Sequence, residues 1–224
     1  MPSRAHPDTE LAAALLGRWN DLIEQVRPGA QPQAAPYGEQ LLHQWSEPRR
    51  RYHTLRHLDA MLAVVDALAE QVDEQGAAAV RLAAWFHDAV YAPDRSENEE
   101  RSARLAERVL PELGVPPALT AEVARLVRLT ADHDPAPGDA NGALLCDADL
   151  AVLGGPPEAY AAYAAAVREE YAFVPDEDFR AGRAAVLRQL LALPELFRTE
   201  PARRAYGTAA HRNMTAELAQ LAGR

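Results

Sequence analysis

Lysine is missing from this chain of 224 residues, so its 23 permanently positive side chains are all arginines. That absence excludes Schiff-base chemistry on a lysine, attachment of pyridoxal phosphate and the lysine-bearing phosphate loop. What remains is planar guanidinium, suited to two-pronged contacts with phosphate. Cysteine is almost missing too. Cys146 alone rules out an internal disulfide and any multi-cysteine zinc site, and it reads as a small buried apolar residue. No run approaches the roughly 20 apolar residues of a membrane span, and the opening residues 1–8 lack the apolar stretch of a signal peptide. A formal charge of −10 and a pI near 5.2 argue against general affinity for duplex nucleic acid or anionic membranes. Together these absences predict a soluble, cytoplasmic protein with neither a membrane nor duplex nucleic acid as partner. They leave a homo-oligomer open.

Alternating strand patterns of useful length are missing as well; the apolar residues recur at helical spacing. A first helix is predicted over 11–26, stopped by Pro28-Gly29, then a loop over 30–36 and a short helix over 38–45. Thr54 is a candidate N-cap for a helix to about Val72, and Gly76 separates it from a helix over 77–91. Ser96, with Glu99 three residues on, fits a capping box for a helix over 97–110. Further helices are predicted over 118–133, from about Leu144 to Leu153, over 160–171, over 179–193 and from Pro201 to about Ala222. The fold class is all-α: one multi-helix domain over 1–224, with a core at about 50–155 and a helical extension at about 156–224.

Four stations with metal-binding side chains stand along this order. His57 lies near the start of one helix and His87-Asp88 lie on the next. His133 ends a later helix, and Asp147-Ala148-Asp149 sits in the one after. His57 and His87 are 30 residues apart, one helix down and one back, which brings the two imidazoles to the same end of an antiparallel pair. Burying His87-Asp88 among Trp85, Phe86, Val90 and Tyr91 is costly without a partner or a metal. Histidine and carboxylate ligands together suit a borderline transition metal such as manganese, cobalt, nickel, iron or zinc.

The order His57, His87-Asp88, Asp149 resembles the H…HD…D pattern of the HD superfamily of metal-dependent phosphohydrolases. Longer blocks resemble a predicted bacterial branch of it: Arg50-Arg51-Tyr52-His53-Thr54-Leu55-Arg56-His57, Phe86-His87-Asp88-Ala89-Val90-Tyr91, Asn98-Glu99-Glu100-Arg101-Ser102-Ala103 and Asp147-Ala148-Asp149-Leu150-Ala151-Val152-Leu153-Gly154. Further similarity runs through Val167-Arg168-Glu169-Glu170-Tyr171, Gly182-Arg183 and Arg212-Asn213. The resemblance implies an HD-domain-like bundle holding one divalent ion on His57, His87, Asp88 and one of Asp147 and Asp149, with Asp149 favoured, and it leaves a second ion open. It implies hydrolysis of a phosphoester or phosphoanhydride of a small phosphorylated metabolite or nucleotide through a metal-activated water.

Within that reading His53 protonates the leaving group, Asp88 and Glu99 handle or position water, and Arg51, Arg56, His133 and Asp147 meet substrate. Asp147 alternatively orients a ligand or water from behind. Of Arg49, Arg50 and Arg51, Arg51 is the one expected to point inward, and Arg95 and Glu100 are further candidates near the site. Plainer roles stand beside these: Glu99 as capping-box partner, His133 as a helix C-terminal cap, and His6, His43 and His211 as surface residues. Two other functions are kept open, an HD-type di-iron oxygenase and a non-catalytic metal- or nucleotide-binding sensor.

Overall fold

A computed structural model describes residues 7–27 and 33–223. Pro28-Gly29, residues 30–32 of the expected loop and His6 lie outside the described residues, and α2 already begins at Ala35. Every regular element among the described residues is helical. In order these are α1 (Pro7–Val26), α2 (Ala35–Trp45), α3 (Leu55–Ala67), α4 (Glu74–Phe86), α5 (Asn98–Glu112), α6 (Pro117–Leu129), α7 (Ala140–Leu150), α8 (Pro157–Glu170), α9 (Asp176–Ala192), α10 (Glu200–Ala202) and α11 (Thr208–Ala222). No helix among them is long and apolar enough to cross a membrane.

The centre of the bundle is α4. From Gly76 to Phe86 every residue but Arg81 is buried, with α1, α3, α5, α6 and α7 packed around it. A helix apolar on all sides belongs inside, and Ala77, Ala78, Ala79, Ala83 and Ala84 let its neighbours approach closely. At its far end Trp19 meets Trp85 edge-on, with ring centroids 5.3 Å apart. Buried apolar residues from Leu15 to Met214 form one continuous cluster.

Several boundaries differ from those read off the sequence, each for a local reason. Gly76 does not separate two helices; it lies in the first turn of α4, where its amide donates to the Asp73 carboxylate at 2.7 Å. Ser96 is not a cap, because α5 starts at Asn98 and makes no side-chain cap bond. Instead Asn98 closes the preceding loop, accepting from the Ala92 amide at 3.0 Å and donating to the Ala92 and Arg95 carbonyls. Ser102 holds Val90 in the same manner. The motif helix stops at Phe86, five residues short of Tyr91. Trp45 Nε1 takes the Trp85 carbonyl at 3.0 Å, and the buried Arg50 guanidinium takes those of Asp88 and Ala89 at 2.9 and 3.1 Å. Tertiary donors satisfy carbonyls that a longer helix would have used internally.

The extension, α8–α11, docks against the core near the site. Gly154, in the turn that follows α7, lies against the Tyr206 backbone so closely that a Cβ there would sit 2.7 Å from it. Asn213 of α11 donates to the carbonyls of Leu153 and Gly155 at 2.9 Å each. The chain just after Asp149 is thereby fixed from outside the core.

Candidate metal centre

The ends of three helices converge. His57 lies in the first turn of α3, His87 is the C-cap of α4 with Asp88 next, and Asp149 lies in the last turn of α7. Two C-terminal ends turned to one point bring partial negative charge that favours a cation.

His57 Nε2 lies 3.3 Å from His87 Nε2 and 3.2 Å from Asp149 Oδ1. His87 Nε2 lies 3.3 Å from Asp88 Oδ2 and 3.8 Å from Asp149 Oδ1. Ligand atoms about 2.1 Å from one ion stand roughly 3.0–3.4 Å apart, close to these separations. His57, His87 and Asp88 have donor atoms within 4.8 Å of one another and form a group able to hold a metal ion. The ring of His87 is already set for ligation: Nδ1–H donates to the Ala84 carbonyl at 2.9 Å, leaving Nε2 to face the cluster.

The charges want a cation. Burial alone would raise the Asp88 carboxyl, but His87 and His53 hold it well below the usual range. Asp149 is likewise held far down against burial, by hydrogen bonds from His133 and His57. Burial opposes a charge on His87, yet Asp88 and then Asp149 push its pKa up to about 9. His57 goes the other way, lowered by burial and by its imidazole neighbours. The two carboxylates thus favour a proton on His87 Nε2, the ring atom that faces the cluster and that a divalent ion would need.

His133 is drawn in by an unusual backbone. It is the single non-glycine residue with positive φ, 54°, among the described residues. Its ring, 21% exposed, places Nε2 2.8 Å from Asp149 Oδ2. Its ring therefore orients a cluster carboxylate, while its backbone amide closes the end of α6 on the Leu129 carbonyl at 3.0 Å.

His53 is not helical, so it shares no helix face with His57, but it flanks the cluster: Nε2 lies 3.7 Å from Asp88 Oδ2. Behind it stands Glu170 of α8, a carboxylate that spacing and composition did not single out. Its side chain is fully buried. Oε1 accepts from the amides of Arg51, Tyr52 and His53 at 2.7–3.0 Å, while Oε2 accepts from His53 Nδ1 at 2.7 Å and the Tyr91 hydroxyl at 3.0 Å. Those bonds hold the Glu170 pKa down to about 2 against burial. Burial also works against a charged His53, but Asp88 and Glu170 raise it overall. The detectable signal was phase: Tyr160, Tyr163, Val167 and Glu170 fall on one stripe of α8, so the carboxylate occupies an apolar position.

Other expected site residues stand apart. Asp147 is fully buried with its carboxylate turned to the extension, Oδ1 accepting from the Arg198 amide at 2.6 Å and Oδ2 from the Thr199 amide at 2.7 Å. With both oxygens so engaged it meets neither ligand nor substrate. Glu99, on the first turn of α5, makes no hydrogen bond to the cluster, and Glu100 is paired with Arg104 and Arg128. The inward arginine is Arg50, not Arg51. Arg51 is half-exposed beside Glu169, and Arg56 is exposed and bonded to Asp8 at 3.1 Å. Both still border a cavity of about 450 Å³ whose wall includes His57, Asp149, Tyr52 and Tyr163. Arg95, His43 and His211 are exposed, and Cys146 is buried.

Neither a protein-family model, nor a curated protein, nor a solved structure matches this chain.

Proposed function

We propose that this protein is a metal-dependent phosphohydrolase of the HD type, cleaving a phosphoester or phosphoanhydride of a small phosphorylated metabolite. One observation carries the reading. His57 and Asp149, in the wall of a cavity bordered by arginines, stand 3.3 and 3.8 Å from His87, which lies 3.3 Å from Asp88, so two imidazoles and two carboxylates meet where three helices end. His57, His87, Asp88 and Asp149 would hold a divalent ion of manganese, cobalt, nickel, iron or zinc type. When bound, such an ion acidifies water and polarises a phosphoryl oxygen.

The chain's own residues supply the rest. Arg51 and Arg56 border the cavity and offer positive charge to a phosphate. His53, its Nδ1 fixed on Glu170, presents Nε2 beside Asp88 and gives a proton to the departing oxygen. Asp88 takes the proton that water loses, and His133 keeps Asp149 turned inward.

The test is release of inorganic phosphate from a panel of phosphorylated small molecules with Mn²⁺, Co²⁺ or Ni²⁺. Turnover is expected with at least one metal and should fall to background in His87→Ala and Asp88→Ala. Silence across the panel with every metal overturns the reading. His133 beside Asp149 favours one second reading, a di-iron oxygenase with an additional histidine. Oxygen uptake by iron-loaded protein, without phosphate release, would decide for it.

A further inference from the structure

A second cavity, of about 460 Å³, shares only Tyr52 and Tyr163 with the first. These two rings meet edge-on with centroids 4.6 Å apart and stand between the two spaces. The second cavity has His53 in its wall, together with Tyr171, Phe179, Val167 and Val186.

Three features set it apart. His53 is 20% exposed and so reachable, while its Nε2 lies 3.7 Å from Asp88, which links this space to the metal centre. Its one arginine is already neutralised: Arg183 forms a two-pronged pair with Glu217 and donates to the Tyr163 hydroxyl at 3.1 Å, which leaves Asp178, a carboxylate that repels phosphate, as the other charged side chain in the wall. The Arg183 side chain, 8% exposed, is withdrawn from any phosphate, in contrast to the exposed Arg51 and Arg56 beside the first cavity. Finally, of the two large apolar side chains exposed among the described residues, one lines it and the other stacks on a ring of its wall. Val186, 45% exposed, lines the cavity, and Phe173, 58% exposed, stacks on Tyr171 with 25° between planes. Arg168 lies over the Phe179 ring at 4.6 Å and bonds the Tyr171 and Val174 carbonyls, so the aromatic wall is held in place.

We infer that this second cavity is the leaving-group site, and that it takes an uncharged alcohol bearing a planar ring. The assignment rests on the phosphohydrolase reading. In the reaction a bond forms between phosphorus and the oxygen of water, and the bond between phosphorus and the ester oxygen breaks. The ester oxygen takes a proton from His53 Nε2 and leaves as the alcohol into the aromatic space. The proton shed by water passes through Asp88 back to His53, and phosphate remains on the arginine side.

Two esters of primary alcohols that differ in the ring test this: 2-(2-naphthyl)ethyl phosphate and ethyl phosphate, each with the metal that gives turnover. The wild-type protein should prefer the naphthyl ester at least 30-fold in kcat/KM. Gly182 lines the cavity, and a Cβ built on it meets nothing within 4 Å, so Gly182→Leu adds apolar bulk at the wall with no clash at Cβ. That variant, checked for folding by circular dichroism, should lower the naphthyl-to-ethyl ratio at least tenfold. If both esters are cleaved with a ratio near one, or Gly182→Leu leaves the ratio unchanged, the inference falls and the hydrolase reading stands. If neither ester nor any panel compound releases phosphate, the hydrolase reading falls and takes the leaving-group role with it. Independently of metal, 2-(2-naphthyl)ethanol should bind the wild-type protein, followed by its fluorescence, and bind at least tenfold more weakly to Gly182→Leu. Absence of binding overturns the ring site itself.

Discussion

Asp147 and Asp149 stand two residues apart on α7 and are used in opposite ways. Residues so spaced on a helix point about 200° apart, so one carboxylate faces the docked extension and the other the cluster. Asp147 spends both oxygens on backbone amides of Arg198 and Thr199, and burial, though countered by those amides, leaves its pKa raised. Asp149 meets imidazoles from three separate stretches of chain and is held far below the usual range. A carboxylate on amides has finished its work when the chain folds. One surrounded by imidazoles keeps its charge for something yet to bind.

The sharpest break between the two is a pair of substitutions. Asp149→Asn should weaken Mn²⁺ binding, read by titration calorimetry, by about 1000-fold, or ~4 kcal/mol. Its thermal unfolding without metal should shift less than that of Asp147→Ala. Asp147→Ala should do the reverse, because it leaves two buried amides without acceptors. A loss of about 3 kcal/mol follows, roughly 10 °C in Tm for a domain of this size, while the folded fraction binds Mn²⁺ within a few-fold of wild type. If both variants lose the metal alike, the two carboxylates are one site and the contrast drawn here is wrong.

The same contrast explains which parts of the molecule were legible in advance. Helices announced themselves through apolar periodicity, and Pro36, Pro117, Pro157 and Pro201 fall in the first turns of α2, α6, α8 and α10. His57 and His87-Asp88 could be brought together because two antiparallel helices of known pitch fix where their ends meet, whereas Asp149 was reached through the resemblance of its Asp-Ala-Asp-Leu block. What stayed hidden depended on partners distant in sequence. Nothing local tells Arg50 from Arg51; the carbonyls of Asp88 and Ala89, 38 and 39 residues on, choose between them. The same bonds end α4 early. Asp147 stayed a candidate beside the favoured Asp149 because its amide partners lie 51 and 52 residues downstream. Glu170 is bound to the 51–53 loop from 117–119 residues away, and only its place on the apolar stripe of α8 hinted at burial.

The mildest test uses pH, and its sign follows from His87. In the metal-free protein Asp88 and Asp149 raise that imidazole to about 9 against the burial that opposes it. Nδ1 is engaged by the Ala84 carbonyl, so the proton at stake sits on Nε2, the atom a metal needs. Binding at neutral pH must therefore release close to one proton, and affinity for Mn²⁺ should rise by about tenfold per pH unit up to roughly pH 9, then level off. Stability of the metal-free protein runs the opposite way. A histidine raised above its ordinary 6.5 contributes stability fully present below that value and lost as pH climbs through about 9. Metal-loaded protein, which lacks that proton, should show no such decline. Calorimetry in buffers of different ionisation enthalpy counts the proton, and unfolding between pH 6 and 10 with and without Mn²⁺ reads the stability. Asp147, which touches no imidazole, should leave the slope intact when replaced by alanine. A flat affinity across this range would mean that the His87 proton and the metal do not compete for one place.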